Sequence, residues 1–105
     1  MQQLDNQAKY NTISVIADKA VCTGPGVLHT IAQAQADALP TAGSVIVYDN
    51  TTNSGRILYR VYWPAAAFSP TSVILDIAFE KGIYVYFDTT ADVNLILTYK
   101  QFTYE

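Results

Sequence analysis

From Ser44 onward the chain is a succession of short apolar runs broken by turn residues: S-V-I-V-Y-D-N, R-I-L-Y-R-V-Y-W, S-V-I-L-D-I-A-F, I-Y-V-Y-F-D and V-N-L-I-L-T-Y-K. Each run is rich in β-branched and aromatic residues, which suit a pleated, packed surface. The pattern predicts five strands at about 44–50, 56–63, 72–79, 83–88 and 93–100. Upstream, a strand is expected from Thr12 to Asp18 with Ile13 and Val15 on one side, and residues 19–22 extend it or begin another. Val27 to Ala34 alternates again, which places Val27, His29 and Ile31 on a shared face. The segment I-A-Q-A-Q-A-D-A-L (31–39) combines helix-favouring Ala and Gln with strict alternation. The alternation, and its shortness for an isolated helix, favour a strand running into a loop.

Turn chemistry separates these runs. Gly24-Pro25-Gly26 and Pro40-Thr41-Ala42-Gly43 are breakers, and Asp49-Asn50-Thr51-Thr52-Asn53-Ser54-Gly55 has the side chains and the glycine of a hairpin loop. Pro64 stops the next strand, and P-A-A-A-F-S-P reads as a longer crossing loop. Glu80-Lys81-Gly82 and Thr89-Thr90-Ala91-Asp92 are short enough to predict tight hairpins. The expected fold is all-β: one antiparallel β-sandwich or jelly-roll-like domain of about seven to eight strands. It occupies residues 12–105, with a short C-terminal tail, after a polar N-terminal arm at 1–11.

The faces of these strands are unusual. A sheet with one wet face alternates apolar and polar residues, yet here both parities are apolar. If Arg60, Asp76, Asp88, Asn94 and Lys100 point outward, then Ile57, Tyr59, Val61, Trp63, Val73, Leu75, Ile77 and Phe79 form core, with Ile83, Val85, Phe87, Val93, Leu95 and Leu97. The outward set then contains Ile46, Tyr48, Leu58, Tyr62, Ile74, Tyr84, Tyr86 and Ile96. An apolar set of that size is expected to be covered by other molecules. Leu4 and Tyr10 in the arm, and Phe102 and Tyr104 in the tail, are further candidate contacts, because terminal apolar residues can add to a neighbour's sheet.

Composition sharpens this picture. Of the 105 residues 14% are charged, against about 25% in typical soluble domains. Eight Tyr, four Phe and one Trp offer apolar bodies with polar tips, the chemistry enriched at protein interfaces. The net charge of −3 and six scattered Lys and Arg residues argue against a nucleic-acid partner, which needs clustered cations. No basic segment followed by an apolar run opens the chain, and no stretch has the length of a membrane helix. A reducing cytoplasm, or an assembly formed there, is therefore expected. Cys22 is the single cysteine, so no internal disulfide forms, and a buried, inert thiol is its expected state.

Candidate chemistry is thin. His29 is the single histidine, and a triad or metal centre needs partners converging on it. Asp49, Asp76, Glu80, Asp88 and Asp92 lie mostly at strand ends and turns, where Asp has structural uses. The 49–55 loop superficially resembles a calcium loop, but its Gly is one place late and Arg60 stands where a bidentate Glu belongs. Gly24-Pro25-Gly26 is followed by no Lys or helix start, so it is no phosphate cradle. We therefore expect no catalytic residue, no metal and no cofactor. Trp63, Tyr62, Tyr84 and Tyr86 also suit a carbohydrate platform, which is the alternative from a different functional class.

Three stretches carry a resemblance: G-P-G-V-L-H (24–29), S-V-I-V-Y-D-N-T-T-N-S-G (44–55) and F-E-K-G-I-Y-V-Y (79–86). In order and spacing they resemble small β-sandwich virion proteins of tailed bacteriophages, over most of residues 20–99. The resemblance implies a non-enzymatic head decoration (cement) subunit, commonly a homotrimer, that binds the major capsid protein and stabilises the head. It implies location in the virion after assembly in the host cytoplasm. Some such proteins belong instead to tails or fibres. The N-terminal arm and the Ala/Gln segment have no counterpart in that pattern.

Overall fold

A computed structural model describes residues 10–35, 43–63, 71–88 and 93–102, with backbone alone for 34, 35, 63, 71 and 93. These residues form eight strands: β1 (Asn11–Val15), β2 (Lys19–Thr23), β3 (Gly26–Gln35), β4 (Gly43–Asp49), β5 (Arg56–Trp63), β6 (Thr71–Phe79), β7 (Gly82–Phe87) and β8 (Val93–Gln101). They make two antiparallel sheets of four, in the orders β1-β8-β3-β6 and β2-β7-β4-β5. We call these sheets A and B. β1 pairs with β8, β2 with β7, β3 with β6 and β4 with β5. The chain is therefore one long hairpin with its tip between β4 and β5, rolled so that successive rungs alternate between sheets. β8–β3 and β7–β4 pairing closes the roll. This is the wrapping of a jelly roll, as the turn-and-strand pattern predicts.

The core lies between the sheets. Leu28, Val45, Val47, Ile83, Val85, Leu95 and Leu97 are fully buried, and Val15, Ile31 and Phe79 nearly so. Each contributes about 1.5–3 kcal/mol relative to an exposed side chain. Tyr59, Val61, Val73, Leu75 and Ile77 pack against this cluster while half-buried. The side chains of Trp63 and Val93 lie outside the described residues.

Two expectations about turns and faces need correction. Glu80-Lys81-Gly82 does not close a hairpin, because β6 belongs to sheet A and β7 to sheet B. It is an arch across the sandwich. The segment after Phe87 likewise leads from sheet B to sheet A, although Thr89–Asp92 itself lies outside the described residues. Only the 49–55 loop, of the three predicted hairpins, joins paired strands.

Side-chain parity also breaks where a strand carries an extra residue. The β4–β5 register passes from Val47↔Tyr59 to Tyr48↔Ile57, so Leu58 is inserted. Leu58 is buried and Ile57 is 46% exposed, the reverse of the alternation argument. On β3 the register against β8 passes from Leu28↔Tyr99 to Thr30↔Thr98, so His29 is the inserted residue there. Leu28 and Ile31 consequently both face the core, and His29 and Ile31 do not share a face. Against β6 the same stretch pairs Leu28↔Ile77 and then Thr30↔Ile74, with Asp76 at φ 46°. A non-glycine residue at positive φ interrupts the regular strand at this register shift, and Asp tolerates that region better than most residues.

Candidate functional site

The two outer faces differ sharply in chemistry. On sheet A the outward positions include Thr12 and Ser14 (β1), Thr30 (β3), Asp76 (β6), and Asn94, Thr98 and Lys100 (β8). Ile74, 71% exposed, the half-buried Ile96 and Val27, and the small Ala32 and Ala78 are its apolar positions. Sheet A therefore presents a mixed surface with more polar than apolar positions, contrary to the expectation that almost every strand is apolar on both sides.

Sheet B presents the apolar surface. Its outward side chains follow from the register. Ser44 lies opposite Tyr62, Ile46 between Tyr86 and Arg60, and Tyr48 between Tyr84 and Ile57. Three rows thus run across β7, β4 and β5: Asp88-Ser44-Tyr62, Tyr86-Ile46-Arg60 and Tyr84-Tyr48-Ile57. Tyr62 is 68% exposed on the edge strand, while Ile46, Tyr48, Tyr84 and Tyr86 are half-buried by their neighbours. Tyr48 and Tyr84, and Ile46 and Tyr86, are direct cross-strand neighbours, the kind of pair that stabilises a sheet face. Four tyrosines and two isoleucines share this surface with Ser44, Arg60 and Asp88, an aromatic-rich, charge-poor mix like that of protein contact patches.

Of the residues expected at an interface, Ile46, Tyr48, Tyr62, Tyr84 and Tyr86 are gathered on this one patch. Ile74 and Ile96 lie on the opposite side of the molecule, so the outward set is two surfaces. Leu58 is a core residue and is withdrawn from the contact set, because the bulge turns it inward. Ile57 replaces it, a residue that only the bulge could have revealed. Phe102, 46% exposed, follows β8 at one end of the sandwich, where its N–H donates to the Pro25 carbonyl at 3.0 Å. Leu4 and Tyr104 lie outside the described residues.

Tyr10, 43% exposed, has a different setting. Its ring stacks on His29, with centroids 4.6 Å apart and planes 14° from parallel. His29 Nδ1 meets the Asp76 carboxylate at 2.5 Å, and the Lys100 ammonium lies 5.9 Å from the Tyr10 ring centroid. His29 and Asp76 meet because the bulges on β3 and β6 coincide. A His–Asp pair orients an imidazole as a base, but nucleophilic catalysis also needs a hydroxyl or thiol beside it to give up its proton to the ring. No nucleophile is within hydrogen-bonding contact of His29 among the described residues. Cys22 sits on sheet B and His29 on sheet A. Burial raises the Cys22 thiol above its ordinary range, only partly offset by a hydrogen bond from the Ile83 backbone. That thiol is a poor nucleophile at neutral pH.

The three motifs that carry the phage resemblance converge at one end of the sandwich. Asp49, 5% exposed, accepts from the N–H groups of Glu80 at 3.0 Å and Lys81 at 2.8 Å. The Arg56 guanidinium approaches it at 3.3 Å. The Gly24 N–H donates to the Lys81 carbonyl at 2.9 Å. A Cβ on Gly26 would lie 2.3 Å from the Lys100 carbonyl oxygen and 2.6 Å from Phe79. Gly82, at φ +145°, passes equally close to the Cys22 carbonyl. These motifs lock the β4–β5 hairpin, the β2–β3 turn and the β6–β7 arch together. In the 49–55 loop itself Asn50 donates to the Ser54 carbonyl at 2.9 Å and accepts from the Thr51 N–H at 2.8 Å. The oxygens there are occupied in turn closure, and no cluster of three or more metal-ligating residues occurs among the described residues.

No family model, curated protein or solved structure matches this chain.

Proposed function

We propose that this protein is a non-enzymatic structural subunit of a tailed-bacteriophage particle, a head decoration protein that self-associates and binds the major capsid protein. The observation that carries the reading is the outer face of sheet B. Four tyrosines and two isoleucines share it with Arg60 and Asp88 alone as charged residues among those described there. Such a surface is costly to leave in water and suits a protein partner. The motif resemblance supplies the particle, and repeated contact from an oligomer converts weak individual sites into firm attachment. Work of this kind opposes separation of capsid subunits and needs no reactive centre.

The test is binding of the purified chain to empty heads, read by co-sedimentation. The reading predicts saturable, stoichiometric binding, and hundreds of copies in each intact particle by quantitative mass spectrometry. A few copies would instead place the subunit in a fibre or tip, and absence from particles would defeat the proposal. The tyrosine rows also have the residue types of a glycan platform. Binding to glycan arrays by a monomeric chain, lost in Tyr62→Ala and Tyr84→Ala, would favour that reading instead.

A further inference from the structure

The partner of this face follows from its two charges and from the state of the sheet edges. Edge strands are the usual route by which sheets add to one another. Here the edges are β1, β6, β2 and β5. β2 and β5 carry bulges, at Val21 and Leu58, and β6 is interrupted at Asp76. β1 is five residues long. Bulged and short edges resist strand addition, so association is directed to a face. The outer face of sheet A is the more polar of the two, so covering sheet B removes more hydrocarbon from water.

On sheet B, Arg60 and Asp88 have opposite signs and lie on opposite sides of β4. Arg60 projects from β5 beside Ile46, and Asp88 follows β7 beside Ser44, whose hydroxyl reaches its carboxylate at 3.4 Å. A two-fold axis lying in the plane of the face, midway between them, exchanges the two positions. Each Arg60 then sits over the Asp88 of the other copy, and the tyrosine and isoleucine rows meet in between. An isologous contact requires this self-complementarity. A neutral partner would leave both charges unpaired, whereas a second copy supplies both complements by symmetry alone.

We infer that the outer face of sheet B is covered by a second copy of this chain, in a two-fold dimer bridged by two identical Arg60–Asp88 pairs. The inference deepens the proposed function and rests on its reading of this face as a contact surface. Four strands spaced about 4.8 Å apart and about 20 Å long give a flat face of about 400 Å². With side-chain relief two copies bury on the order of 1,000 Å², near the lower bound for a specific interface. The dimer is therefore expected to be reversible, dissociating at micromolar concentrations.

Charge reversal tests it, with folding checked by circular dichroism. Light scattering of the intact chain should give a dimer near 100 μM and a falling mass on dilution. Arg60→Asp and Asp88→Arg each place two like-charge pairs in the contact and should weaken it about a hundredfold or more. Mixed together, those two variants complement each other at both positions and should form a heterodimer. The double variant should also dimerise. A trimer, a wild-type monomer near 100 μM, or single variants that stay dimeric alone would each overturn the inference. If the dimer fails while head binding persists and is lost in Tyr62→Asp, the contact-surface reading stands with another occupant. If both fail, neither holds.

Discussion

Replacing Asp49 by Ala removes the carboxylate that ties the β6–β7 arch to the end of β4. Its oxygens accept the Glu80 and Lys81 N–H groups at 3.0 and 2.8 Å, from a side chain 5% exposed. Hydrogen bonds to a charged acceptor are each worth about 1.5–3 kcal/mol. Glu80 and Lys81 themselves lie at the surface, so water partly replaces the lost acceptor. The Arg56 contact, with its guanidinium half exposed at 3.3 Å, adds little. The expected loss is therefore about 2–4 kcal/mol, a large share of the roughly 5–15 kcal/mol that holds a domain together. For a domain of this size that corresponds to a fall in Tm of about 10–25 °C. Asp49→Asn keeps one carbonyl oxygen and should lose about half as much. Asp88→Ala, whose side chain is exposed and among the described residues reaches only Ser44, at 3.4 Å, should stay within about 1 kcal/mol of wild type. Differential scanning calorimetry reads all three. An Asp49→Ala protein melting within about 3 °C of wild type would refute the argument that this carboxylate locks the arch.

Three further outcomes follow from the same structure. Gly26→Ala forces a Cβ against the Lys100 carbonyl and the Phe79 ring, so it should destabilise by about 1–3 kcal/mol or more in urea titration, whereas Gly24→Ala meets nothing within 4 Å among the described residues and is disfavoured chiefly by its φ of +95°. Burial raises the Cys22 thiol, so iodoacetamide at pH 8 should alkylate the native chain more slowly than the urea-unfolded chain, with equal rates counting against the buried placement. Burial first, and the nearby Cys22 second, raise the Tyr99 phenol above its ordinary range. Its folded state holds the proton more tightly than the unfolded state. That stabilisation is therefore complete below the free-phenol range of about 10 and declines as pH rises above it. Tyr99→Phe should show a shallower alkaline loss in urea titrations between pH 9 and 11.

How much of this was legible in the sequence depends on distance along the chain. Strand positions were legible because turn residues and β-branched runs are local signals. β5 spans the predicted 56–63, and β4, β7 and β8 differ from expectation by a residue at their ends. The two sheets were not separable, because a short turn such as Glu80-Lys81-Gly82 has the same residues whether it closes a hairpin or an arch. Which it does depends on β3 and β4 waiting in opposite sheets. Parity failed at His29 and Leu58 for a related reason. A bulge adds one residue without changing composition, and it inverts every inference drawn from alternation beyond it. The tyrosine rows were visible as residue types, but their separation from Ile74 and Ile96 required the topology. The His29–Asp76–Tyr10 contact was invisible for the same reason, since it depends on two coincident bulges.

The central claim is that the outer face of sheet B is covered in the assembled state and that of sheet A is not. Hydroxyl-radical footprinting with mass-spectrometric readout measures this directly, on dilute chain and on chain assembled on heads. The account predicts several-fold protection of Tyr48, Tyr62, Tyr84 and Tyr86 on assembly, with Ile74 modified at an unchanged rate. Equal modification of those tyrosines in both states, or protection confined to Ile74 and its neighbours, would contradict it.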